Sequence, residues 1–212
     1  MINKISPPDL WVEKIKRQSF DLEDLFFEKW HRLDVGGIVP PKNLMDDDHH
    51  SAAHATGYYA VWCRNLRELF DEVKKSGIAF QNFVDIGSGK GKACFYASRK
   101  RKFEKIIGVE FSKPIIDIAV ANNNRFKGES ITFVLADAMD FMLPPASNLV
   151  FMFNPFDEVV LEKFIENNLD HFKTHHSVIA YANDRHKKSL TKYGFETIFR
   201  NQSRKISLHQ LG

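Results

Sequence analysis

Apolar and polar positions follow a helical period at the start of this chain and a strand–helix alternation after it. Between Asp9 and Trp30, apolar residues fall at Trp11, Ile15, Leu22, Leu25, Phe26 and Trp30, spacings that suit one or two amphipathic helices. A loop punctuated by Gly36-Gly37 and Pro40-Pro41 follows. From Tyr59 to Ser76 the helical period returns, with Trp62, Leu66, Leu69, Phe70 and Val73 on one stripe. Arg64, Arg67, Glu68, Asp71 and Lys74 occupy the remaining surface, and Gly77 suits the stop. Beyond it, short apolar runs read as strands over Phe80–Ile86, Ile106–Glu110, Ile131–Leu135, Leu149–Phe153 and Ser177–Ala182. Lys92–Arg101, Lys113–Asn124 and the segment opened by Asp157-Glu158 read as the helices between them. A short basic helix then precedes two alternating strands near Phe195–Arg200 and Lys205–Leu211, predicted to pair antiparallel. This alternation predicts an α/β protein with a mostly parallel sheet.

Composition narrows the class without naming a function. The 212 residues, 43% hydrophobic and 27% charged, suit one soluble globular unit able to bury its own core. A net charge of +3 is too small to argue for nucleic acid. The two cysteines, Cys63 and Cys94, form no metal or redox spacing and fit a reducing cytoplasm. No run is long enough to span a bilayer, so no membrane partner is expected.

Candidate chemistry begins at the end of the first predicted strand. Asp85-Ile86-Gly87-Ser88-Gly89-Lys90-Gly91-Lys92-Ala93 joins an acid, three glycines at every second position, and a helix start. Such a turn lets the backbone approach a ligand and aims the helix's first N–H groups at it. A mononucleotide loop would need a wider glycine spacing and a hydroxyl after its lysine, where Ala93 stands. A dinucleotide loop would need its third glycine one position later than Gly91.

Other strand ends also carry polar groups. Glu110 ends the second strand, 25 residues beyond Asp85, where a carboxylate can receive both hydroxyls of a ribose. Asp137 follows the third strand and can accept from an exocyclic amine, with small Ala138 leaving room for a ring. The apolar run to Phe153 delivers Asn154-Pro155-Phe156, which also reads as a strand-ending turn. His50 and His54 have the spacing of a helical metal pair, but nothing nearby supports zinc; no metal is expected and a solvated lid is the reading preferred. Arg99-Lys100-Arg101-Lys102 and Lys105 fall at the amino ends of the strands, where bound nucleic acid would not reach such a crevice, and favourable charge at a helix C-terminus and solubility explain them better.

The pattern D-x-G-x-G-x-G with its downstream acids resembles the class I S-adenosylmethionine (SAM)-dependent methyltransferases. The resemblance implies a Rossmann-like fold: a mostly parallel seven-stranded sheet with a C-terminal antiparallel hairpin and an N-terminal helical extension. Residues 1–56 would form that extension and a lid, and 57–212 the SAM-binding domain. By the resemblance, Gly87, Ser88, Gly89 and Gly91 lie against the methionine part of SAM, and Asp85 meets its amino end. Glu110 holds the ribose, and Asp137 with Ala138 the adenine. A narrower likeness rests on Asp34-Val35-Gly36-Gly37-Ile38-Val39, the Tyr58-Tyr59 pair, the glycine loop, Ile106 to Ser112, and Asn154-Pro155-Phe156. It is similar to small bacterial methyltransferases described only as SAM-dependent, and more distantly to protein-lysine methyltransferases. The chain departs from these where Val35 replaces a threonine and no Pro-Thr-Pro follows Tyr58 or Tyr59.

The expectation is transfer of a methyl group to an amino nitrogen of a protein lysine or a small molecule, with Asn154, Pro155 and Phe156 at the acceptor and Tyr58 and Tyr59 as substrate or lid residues. The alternatives are a non-catalytic SAM-binding protein and an RNA methyltransferase.

Overall fold

The computed structural model describes residues 7–44, 54–128 and 130–212, with side chains from residue 18 onward. A long helix α1 (Pro7–His31) is followed by two short strands, β1 (Ile38–Val39) and β2 (Tyr58–Tyr59), paired antiparallel. Next come α2 (Cys63–Ser76), β3 (Asn82–Ile86), α3 (Lys92–Lys100), β4 (Lys105–Glu110), α4 (Lys113–Asn123) and β5 (Ile131–Leu135). The second half holds β6 (Asn148–Phe153), α5 (Glu158–Thr174), β7 (Val178–Ala182), α6 (Lys187–Lys192), β8 (Phe195–Asn201) and β9 (Ile206–Leu211). The main sheet has seven strands in the order β5-β4-β3-β6-β7-β9-β8, all parallel up to β7; β9 pairs antiparallel with both β7 and β8.

The central strands are continuous apolar runs because helices cover both of their faces. Side chains alternate: Phe83, Leu149 and Phe151 join the cluster under α2 and α3, while Val84, Val150 and Met152 join the one under α5. Each fully buried side chain of this size contributes roughly 1.5–3 kcal/mol of transfer free energy.

Two expectations from the pattern are corrected. Tyr59 lies in β2, not in the following helix, which starts at Cys63; Tyr58 and Tyr59 instead pair with Val39 and Ile38. Trp62 therefore falls at the helix boundary, 36% exposed and against Phe20. The N-terminal helix is single, and the apolar positions of its described C-terminal half do not all face the core. Leu22, Phe26 and Trp30 are exposed, while Phe27 packs inward on Tyr96. Polar contacts fix the helix instead. Asp24 accepts from the Cys63 N–H at 2.8 Å, capping α2 from another element. Its other oxygen meets the Lys92 ammonium at 2.8 Å, and Glu28 adds a second carboxylate at 3.3 Å. Lys92 is almost fully buried, so removing both acids would strand a desolvated charge. Among the described residues, no helix is long and apolar enough to cross a membrane.

Candidate active site

Strand order reverses between β3 and β6. The chain leaves β3 toward β4 and β5 on one side and leaves β6 toward β7 on the other, so the loops after these strands part. A cavity of about 1420 Å³ occupies that crevice and runs up to α1 and the β1–β2 pair. The volume exceeds the ~300–1,000 Å³ of a single-ligand pocket, leaving room for two reactants.

The glycine loop forms the floor. Gly87 and Ser88 both donate to the Val109 carbonyl at 2.9 Å, pinning the turn to the end of β4. Gly87 has φ 74 and sits against Pro155, so a Cβ there would overlap the proline ring. Gly89 has φ 55, and the ring of Tyr58 lies where its Cβ would be. Gly91 is packed on Phe133 and Phe95. The cavity wall includes Gly87 and Ser88, while Gly89 lies beneath Tyr58 and Gly91 stands behind the wall.

Two buried carboxyls face this floor. Glu110 accepts from the Gly89 N–H and the Ser112 N–H, each at 2.9 Å. Burial raises its pKa, against the lowering pull of the Ser112, Gly89 and Phe111 amides. Asp85 is buried deeper in hydrogen-bonding terms: among the described residues only the Cys94 thiol donates to it, at 3.7 Å. Burial pushes its carboxyl up to about 8; the thiol opposes this shift and the Glu110 charge adds to it. A cation at this place would relieve both acids. The two N–H bonds to Glu110 leave lone pairs free for hydroxyls. The Ser88 hydroxyl is buried on the same wall without a partner among the described residues. A ligand with a cationic end and vicinal hydroxyls fits this donor and acceptor set, as SAM does.

Asp137 turns its carboxylate to the Met139 N–H at 2.9 Å. Its neighbours Ala136 and Ala138 line the cavity, and Asp137 itself is buried behind them.

The opposite side of the crevice carries Asn154, Pro155 and Phe156. Asn154 ends β6 in the left-handed region with φ 42, is buried, and has its amide oxygen 3.3 Å from the Tyr181 hydroxyl. Residues 54–56 bond to this turn around one isolated bridge. The Thr56 hydroxyl donates to the Asn154 carbonyl at 2.6 Å, and the Thr56 N–H to the Pro155 carbonyl at 3.1 Å. Ala55 bridges Phe156, and His54 meets Asp157 at 2.7 Å. Burial raises the Asp157 carboxyl, but the imidazole and the Val160 and Val159 amides outweigh it and leave the pKa low. Phe156 belongs to the core cluster under α5 as well as to the cavity wall. The His50–His54 pair has one member outside the described residues, and among those described no three metal-binding side chains cluster.

Sequence reasoning missed the strap that covers the floor. Lys90 donates to the Asp34 carboxylate and the Gly36 carbonyl, each at 2.9 Å, with its ammonium 5.7 Å from the Tyr58 ring. Asn122 grips the Asp34 backbone twice, at 2.9 and 2.8 Å, and the Tyr58 hydroxyl donates to the Val35 carbonyl. These contacts join residues up to 88 positions apart, which no local pattern reveals. Tyr58 and Tyr59 both line the cavity, Tyr58 buried and Tyr59 half-exposed.

Comparison with known proteins agrees with this geometry. The family described as "Methyltransferase domain" matches residues 83–175. An erythromycin 3''-O-methyltransferase from Saccharopolyspora erythraea is 29% identical over 178 residues, covering 74% of this chain and 55% of that protein. The chain thus spans about half the length of that curated relative. The structure of a SAM-dependent methyltransferase from Clostridium acetobutylicum aligns with TM-score 0.55 at 10% identity, over 72% of this chain and 93% of that one. An N-methyltransferase from Bradyrhizobium japonicum aligns with TM-score 0.50 at 13% identity, over 70% and 96%. With the reversed strand order, the glycine floor and the paired buried acids, these likenesses support a methyltransferase domain over residues 83–175 on the fold seen in SAM-dependent methyltransferases.

Proposed function

We propose that the chain transfers a methyl group from SAM to an amino nitrogen. The reading rests on Asn154, a buried polar residue in a left-handed conformation at the end of β6 that lines the cavity. Asp85 receives the amino end of the cofactor and Glu110 its ribose hydroxyls, while Ala138 and the backbone beside Asp137 flank the adenine. Ser88 supplies a further hydroxyl to the methionine part.

The cofactor supplies a sulfonium methyl already activated for displacement. The acceptor nitrogen's lone pair forms the new C–N bond as the C–S bond breaks; the sulfur keeps the electron pair and the surplus nitrogen proton passes to water. What remains for the protein is in-line positioning, which is worth several kcal/mol. The Asn154 amide oxygen orients the acceptor N–H. The Pro155 carbonyl accepts from the Thr56 N–H, so it fixes the strap.

An oxygen acceptor is the second reading, favoured by the O-methyltransferase activity of the Saccharopolyspora relative. Incubation of the purified chain with methyl-labelled SAM and cell extract tests both. The expected product carries its label on nitrogen, located by mass-spectrometric fragmentation. Label on oxygen would replace the amine reading, and SAM binding without label in any fraction would leave a non-catalytic SAM-binding protein.

A further inference from the structure

The acceptor end of the cavity holds polar groups that methyl transfer itself does not use. Four non-glycine residues among those described have positive φ, and three of them line this one cavity: Asn154, Asn183 with φ 53, and Lys205 with φ 54. Asparagine tolerates that region; lysine does so only when its surroundings over-determine it. Here the backbone is held because the Asp184 N–H donates to the Lys205 carbonyl at 3.0 Å, tying the loop after β7 to the start of β9. The two adjacent central strands thus end alike, Phe153-Asn154 and Ala182-Asn183, with Lys205 brought beside the second.

This arrangement places two cations on one wall. Arg185 and Lys205 are exposed, line the cavity, and have no carboxylate within ion-pair distance among the described residues. Their neighbours are spoken for: Arg200 pairs with buried Asp184 at 2.6 Å, and Arg204 pairs with Glu68 at 2.7 Å. A second observation lies on α2. Asn65 is 5% exposed and lines the same cavity, and its amide oxygen has no donor among the described residues. Unpaired cations on one side and an unmet acceptor on the other call for a ligand carrying both an anion and a polar hydrogen.

We propose that Asn183, Arg185 and Lys205 form a subsite for an oxyanion, carboxylate or phosphate, carried by a small amine that is the methyl acceptor. The inference rests on the amine-methylation reading and narrows its substrate class. A nucleic-acid strand fits less well, because Asp21, Asp24 and Glu28 of α1 line the same cavity and would repel a run of phosphates. A single anion on a small molecule meets the two cations without reaching those acids.

The test uses the full chain, methyl-labelled SAM and cell extract split by size, with products run on an anion exchanger before and after phosphatase treatment. The expected product is of low molecular weight and, loaded at a pH above that of its amine, is retained by the resin. Loss of retention after phosphatase identifies phosphate, and unchanged retention identifies carboxylate. With R185E/K205E, the amount of active fraction giving half-maximal rate should rise at least about tenfold, the scale for removing charge-assisted contacts. SAM affinity by calorimetry and the melting temperature should match wild type, and R185K/K205R should restore most of the loss. An N-methylated product that is uncharged, cationic, protein or RNA would overturn the anion subsite while leaving amine methylation standing. An unchanged acceptor requirement in R185E/K205E would overturn it too. An anionic product methylated on oxygen would overturn the amine reading alone, provided R185E/K205E still raises the acceptor requirement. No labelled product in any fraction would overturn both.

Discussion

The half of the crevice at the ends of β3 and β4 differs in construction from the half at the ends of β6 and β7. In the first, Glu110 is held by backbone amides and the glycine turn is pinned to Val109, all within 25 residues of sequence. In the second, Asn154 is held in a left-handed conformation by Thr56 and Tyr181, and Asn183 and Lys205 are brought together by a loop and a hairpin. The difference teaches that one half of a crevice can be built by a local loop while the other is gathered from distant segments.

The largest expected effect falls on the floor that both halves share. Gly89→Val places a branched side chain at φ 55 and into the Tyr58 ring, so the turn and the strap cannot keep their positions together. SAM binding should fall by more than about a hundredfold, below calorimetric detection in the usual range. Normal binding by this variant would reduce the loop to a structural turn and end the distinction between the halves.

Asn154→Ala tests the second half. It should lower turnover on the identified acceptor by about a hundredfold, the scale for losing one preorganised polar contact. SAM affinity should stay within about threefold, roughly 0.7 kcal/mol. Equal loss of both would show that the two halves act as one site.

Glu110→Ala probes the first half. Two hydrogen bonds from ribose hydroxyls to a charged acceptor are worth about 1.5–3 kcal/mol each before compensation, and the Gly89 amide also loses its partner. Affinity for SAM should therefore drop at least about tenfold. Calorimetry returning the wild-type value would remove the ribose assignment.

The smallest effect is one of stability and sharpens the view of Asp85. Its folded pKa is raised from 3.8 to about 8, chiefly by burial, so the folded chain holds a proton that the unfolded chain has lost between those values. Stability contributed by this neutral carboxyl is therefore lost progressively as pH rises from about 4 to 8. Asp85→Asn removes the titration. The cofactor-free variant should melt within error of wild type near pH 4 and about 2–4 °C higher at pH 9, some 1 kcal/mol after the amide's own unmet hydrogen bonds are counted. The same variant should bind SAM more weakly, because an amide cannot neutralise an ammonium. A gain in melting temperature at acid pH would contradict the assigned shift.

The periodic pattern determined the strands and helices from residue 80 onward to within a residue or two, because the central strands are apolar on both faces and the helices on one. It also placed Asp85, Glu110 and Asn154 at strand ends, since a polar residue closing an apolar run has nowhere else to go. Its failures share one cause. Leu22, Phe26 and Trp30 have helical spacing, but which face turns inward was decided by Asp24 and Glu28 finding the buried Lys92 and the open end of α2. Tyr59 looks like the start of a helix until β1, some 20 residues earlier, offers it a partner. The cover over Gly89, the grip of Lys90 and Asn122 on Asp34, and the meeting of Asn183, Arg185 and Lys205 all join segments with no shared periodicity. Periodicity reports only which residues must be buried against something. What that something is depends on how distant segments cross, and that is decided when the whole sheet and its strap close together.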